Sequence, residues 1–139
     1  MTSFARTPLD FLVVREDWCR YNLSDDSVLK VKIVLTKVYK NQGQLMCEIL
    51  PIHVILTNEK GESDPKLYSM EELKASVNKD IGIAAVIEDW NEYVVDEGTN
   101  IKIRPIVSKI AKTSKFDSNG FPRYICEIQG NMKMEPPTS

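Results

Sequence analysis

Two aromatic pairs, Trp18/Tyr21 and Trp90/Tyr93, and the cations that follow them are the side chains best suited to chemistry in this chain. An aromatic face can take a base, a sugar or a peptide by stacking. Lys30 and Lys32 follow the first pair, Lys102 and Arg104 the second. Cations repeated along a strand can contact a nucleic-acid backbone if both sets face one groove. Each feature also has a packing use. A Trp at a corner plugs the end of a β domain, and a buried Tyr anchors the next strand through its hydroxyl. Three-residue spacing places the two rings on opposite faces of an ideal strand, which favours packing over a joint platform. The bases read equally as the solvated face of an amphipathic strand, balanced by Asp25, Asp26, Glu48, Asp96, Glu97 and Glu127.

The remaining reactive types are sparse. Cys19, Cys47 and Cys126 include no C-x-x-C spacing, so they read as reduced thiols, with core filling the natural use of Cys47 and Cys126. His53 is the only histidine and has no sequence-visible nucleophile to serve. Glu16, Asp17, Glu88 and Asp89 are adjacent carboxylates at corners, where they satisfy backbone amides and solvent more readily than they act as acid and base. Asp117-Ser118-Asn119-Gly120 begins like a calcium loop, but the ligand series that should follow is missing. With no phosphate-binding glycine loop either, we expect no catalytic residue, no metal site and no cofactor.

What must position these residues is a sequence that the chain makes twice. Glu16-Asp17-Trp18-Cys19-Arg20-Tyr21 returns 72 positions later as Glu88-Asp89-Trp90-Asn91-Glu92-Tyr93, and the match continues through Lys40 and Lys112. The expectation is a mostly β domain, tandem-duplicated and pseudo-twofold, closing as a small β-barrel or sandwich with one short linking helix. The whole of 1–139 is read as a single domain, with a first repeat over about 10–57, a connector and helix over 58–79, and a second repeat over about 80–136.

Local signals fill in the elements. Residues 1–9 read as a loose leader without the layout of a secretory signal. Phe11-Leu12-Val13-Val14 and Ile83-Ala84-Ala85-Val86 are apolar runs that suit strands buried on both faces. Leu29, Val31, Ile33 and Leu35 alternate with Lys30 and Lys32, after which the phase slips, predicting a bulge near Val38. Pro105 marks the same region in the second copy. Ser69-Met70-Glu71-Glu72 is a capping box opening a helix that should end near Asn78 and cover an end or edge of the sheet.

The second copy supplies a further signal. Asp89-Trp90-Asn91-Glu92-Tyr93, the acidic-glycine turn at Asp96-Glu97-Gly98, the alternating strand Ile101 to Pro105, and Asp117 to Pro122 form a pattern over residues 88–136. It resembles small β-rich proteins of unassigned function common in archaea. The resemblance implies a fold and carries no catalytic residue across.

A formal charge of −2 gives no general attraction to nucleic acid or an anionic membrane, and no apolar run is long enough to span a bilayer. The functional expectation is a non-enzymatic, cytoplasmic interaction or accessory module, with a protein partner or self-association and no membrane. Nucleic-acid binding through Trp18, Tyr21, Trp90, Tyr93, Lys30, Lys32, Lys102 and Arg104 is the alternative.

Overall fold

The computed structural model describes residues 6–137. In chain order the elements are β1 (Thr7–Leu9), β2 (Phe11–Arg15), β3 (Cys19–Leu23), β4 (Val28–Asn41), β5 (Gln44–Leu56), α1 (Met70–Ala75), β6 (Val77–Ile81), β7 (Ile83–Ile87), β8 (Asn91–Val95), β9 (Asn100–Phe116) and β10 (Pro122–Glu135). The fold is mostly β, with two five-stranded antiparallel sheets. The first contains β1, β3, β4, β5 and β7, and the second β2, β6, β8, β9 and β10.

Period-two patterning builds the two long strands. Leu29, Val31, Ile33 and Leu35 of β4 are buried, while the residues between them are partly open. Ile101 and Ile103 do the same in β9. The phase slip in the sequence is a bulge, since the β4–β5 register shifts between Leu35 and Lys37. The β9–β10 register shifts between Glu127 and Ile128, opposite Lys109 and Val107. Pro105 comes just before that shift, in the ladder opposite Gly130. Its tolerance has another cause. β8 pairs Asn100 to Ile103 and β6 pairs Ile110 to Thr113, leaving the stretch between them with a ladder on one side alone. A residue without an N–H is accepted there.

The two halves of the chain exchange strands. The chain passes from β1 in the first sheet to β2 in the second, where Phe11 faces Val95. It passes from β6 in the second sheet to β7 in the first, where Ile83 faces Leu23. Within the sheets Tyr21 faces Leu29 and Tyr93 faces Ile101. One core cluster draws on β3 and β4 from one sheet and β8 and β9 from the other. Each buried Leu, Ile or Val in it contributes roughly 1.5–3 kcal/mol. Gly130 permits the close approach of the sheets, because a Cβ there would lie 2.6 Å from Ile49 Cδ1.

Four expectations are corrected. The structure is not a closed barrel: β2, β5, β7 and β10 each hydrogen-bond to one neighbour, so side chains rather than a continuous ladder join the sheets. Thr7 to Leu9 is not leader but a strand paired with Val38 to Lys40; residues 1–5 lie outside the described residues. The runs at β2 and β7 are not buried on both faces. They are edge strands, with Leu12 70% and Val86 53% exposed, because each has a partner on one side alone. The helix keeps its capping box at Ser69 but ends at Ala75, and Val77 to Ile81 pairs with β9 instead. It buries none of its residues, so nothing in packing extends it.

Candidate functional site

The two tyrosines are core residues, 1% and 0% exposed, and form no platform. Tyr21 donates to Glu88 Oε2 at 2.7 Å and Tyr93 donates to Glu16 Oε2 at 2.9 Å. Their partners are therefore carboxylates of the opposite half, not the backbone alone. Burial first, then the carboxylate beside each hydroxyl, pushes both phenols far above their ordinary range. Tyr93 also accepts from the Leu35 N–H at 3.3 Å. Asn91, buried at the position matching Cys19, donates to the Ile33 carbonyl and accepts from the Asp17 N–H at 2.8 Å. These two side chains satisfy β4 backbone groups in the stretch between its ladders to β3 and β1. Sequence reasoning missed Asn91; a polar residue at an inward-facing strand position was the signal.

The tryptophans are half-buried, and their faces are taken by the chain's own cations. Lys30 and Lys32 Nζ lie 5.1 and 5.2 Å from the Trp18 ring centre. Arg104 and Lys133 lie 4.5 and 4.8 Å from that of Trp90. The structure thus joins Trp18 with Lys30 and Lys32, and Trp90 with Arg104, on the outer faces of different sheets. Lys102 instead pairs with Glu135 at 3.4 Å.

A charged cluster that the sequence did not announce lies where the β3–β4 turn meets β9 and β10. Asp25 accepts from Tyr124 Oη at 2.6 Å and from the Ser27 N–H and hydroxyl, with Lys112 Nζ 3.4 Å away. Lys112 is also bound by Glu59. The Asp25 and Lys112 side chains are 5% and 12% exposed. Burial alone would raise the Asp25 carboxyl, but the Ser27 and Tyr124 hydrogen bonds and the Lys112 charge outweigh it and hold it at about 2. Burial would lower Lys112, and the Glu59 hydrogen bond with neighbouring charge reverses that. Lys112 is held between two carboxylates, Asp25 and the half-exposed Glu59, so the cluster is a clasp between the halves in which each ionised group already has a partner.

Beside it runs a groove of about 910 Å³, lined among others by His53, Leu56, Leu73, Phe121, Arg123 and Tyr124. Arg123 is held in place there by Nε and Nη2, which donate to the carbonyls of Phe116, Asp64 and Lys66. Burial pushes the Cys19 and Cys47 thiols up and Cys126 up to about 11, which opposes thiolate chemistry. All three cysteines are free. Among the described residues no group of three or more His, Cys, Asp or Glu side chains could hold a metal.

No family model, curated protein or solved structure matches this chain. No described helix is long and apolar enough to cross a membrane.

An uncovered aliphatic row lies on the outer face of the first sheet. Leu50, Ile52, Val54 and Leu56 of β5 are 51%, 38%, 41% and 50% exposed. They stand opposite Val34, Lys32, Lys30 and Val28 of β4 and so share that face. The corresponding face of β10 carries Gln129, Asn131, Lys133 and Glu135 instead. A strand through Ile55 was legible in the sequence, but which of its faces would be left uncovered was not.

Proposed function

We propose that this chain is a doubled β unit acting as a non-enzymatic interaction or accessory module in a reducing compartment such as the cytoplasm. Its protein partner docks on the outer face of the first sheet along β5. The doubling is supported by pairings that recur 72 residues on, Cys19 with Val31 and Asn91 with Ile103, or Leu9 with Val38 and Ile81 with Ile110. The observation that carries the docking face is the exposed aliphatic row of β5 on a strand with one ladder partner. A row of that kind on a free edge invites pairing unless something covers it.

The test is a photo-crosslinking side chain placed at Ile52, with a control at Asn131 on the outer face of β10. In extracts of the source cells, Ile52 is expected to give a discrete crosslinked species identifiable by mass spectrometry. Equal, diffuse labelling at the two positions would count against the reading.

Nucleic-acid binding is the second reading, favoured by the cation-aromatic groups at Trp18 and Trp90. It requires salt-dependent retention on immobilised DNA or RNA that is lost on replacing Lys102 and Arg104. Retention indifferent to salt removes it.

A further inference from the structure

Resting on the interaction-module reading, we propose that the partner is an extended, acidic polypeptide segment that adds to β5 as a further strand. Three observations combine. Residues 49–58, Ile49 to Asn58, contain no Asp, Glu, Lys or Arg, so this part of the edge lacks the charges that normally blunt edge strands. β5 holds Pro51 opposite Ile33. Proline has no N–H to give a ladder, so its backbone position faces away from β4, and by alternation those of His53 and Ile55 do too. The N–H and C=O groups of His53 and Ile55, with the Pro51 C=O alone, are the ones a partner strand would bond.

The third observation is charge. On the outer face formed by β3, β4 and β5, Arg20, Lys30, Lys32 and Lys37 stand against one carboxylate, Glu48. None of these four cations is in a salt bridge among the described residues. This occurs in a chain whose formal charge is −2. The matching face of the second sheet is closer to balance: Lys102, Arg104, Lys109 and Lys133 stand there against Glu92, Glu127 and Glu135, and Lys102 is bonded to Glu135. A segment alternating apolar residues with carboxylates would lay its apolar side chains beside Ile52 and Val54 and bring negative charge to an uncompensated positive field. A second copy would bring its own Lys30 and Lys32 to the same face. Nucleic acid would set phosphates against an aliphatic row, over a Trp18 ring already occupied by lysines.

The test uses the full chain and fluorescence anisotropy with labelled peptides of about ten residues, alternating valine with either glutamate or lysine. A single-stranded oligonucleotide of similar length serves as competitor. The glutamate peptide should bind. Its affinity should fall at least about tenfold for Ile52→Glu and for the Lys30→Glu/Lys32→Glu double variant. The double variant should in turn prefer the lysine peptide, a swap that damaged folding would not produce. Equal affinity for both peptides in the parent chain overturns the proposal. So does displacement of the glutamate peptide by the oligonucleotide, or a dimer in sedimentation that Ile52→Glu abolishes. If the peptides fail while the Ile52 crosslink persists, the partner's chemistry is wrong and the docking face stands; if the crosslink is lost as well, both fall.

Discussion

The Asp25 carboxylate gives the clearest single-residue prediction. Its folded pKa of about 2 lies below the ordinary 3.8. A depressed carboxylate stabilises the fold above its unfolded pKa, and that stabilisation is lost as pH falls from about 4 towards 2. Asp25→Asn also leaves Lys112 half-paired in a nearly closed site, at a cost on the order of 2–3 kcal/mol near neutral pH. Urea unfolding of both proteins at pH 7, 4 and 2 should show the gap narrowing as pH falls. A constant gap would mean that the clasp is not electrostatic. None of this was legible in the sequence, because Asp25 and Tyr124 are 99 residues apart and meet only through the packing of the two halves. The tyrosines were better served. The spacing argument against a joint platform anticipated burial, though not that each hydroxyl would reach a glutamate of the other half.

At the scale of the element, β5 and β10 show how matched ladders diverge in use. Both run beside a long central strand through a bulge, yet one presents Leu50, Ile52 and Val54 outward and the other Gln129, Asn131 and Lys133. They also meet across the core at Gly130. Gly130→Val should cost about 1–3 kcal/mol, since its first added carbon would meet Ile49 Cδ1 at 2.6 Å and the branch would crowd Ile33. Thermal unfolding would read that loss. A paired change of Ile49→Ala should recover part of it, and no recovery would show that the crowding arises elsewhere. The alternating parts of β4 and β9 were readable from their own residues. The three-residue strand β1 and the edge position of β2 were not, because both depend on partners far along the chain.

For the whole molecule, the exchange of β2 and β7 between the sheets makes the halves mutually dependent. Each sheet lacks an edge strand without the other half, and the buried tyrosines bond to glutamates across the divide. Unfolding should therefore be one cooperative transition. Trp18→Phe and Trp90→Phe leave one fluorescent reporter in each half. Adding Ile101→Ala, which empties a fully buried site in β9, should lower the midpoint by the same amount in both backgrounds. The expected cost is about 2–5 kcal/mol. Loss confined to the Trp18→Phe background, whose reporter is Trp90, would mean two separate cores.

Alternating hydrophobicity, turn residues and the capping box at Ser69 determined the long strands, the bulge and the start of the helix, because those depend on neighbours within a few positions. The recurrence at 72 residues set the expectation of matched units. Only the tertiary structure decided that the sheets stay open, that β2 and β7 change sheets, and that Asp25 closes on Lys112 and Tyr124. It also decided which aliphatic row is left uncovered. Those outcomes turn on which of several chemically similar edges pair, and the free-energy differences among such pairings arise from contacts between residues that are distant in the chain.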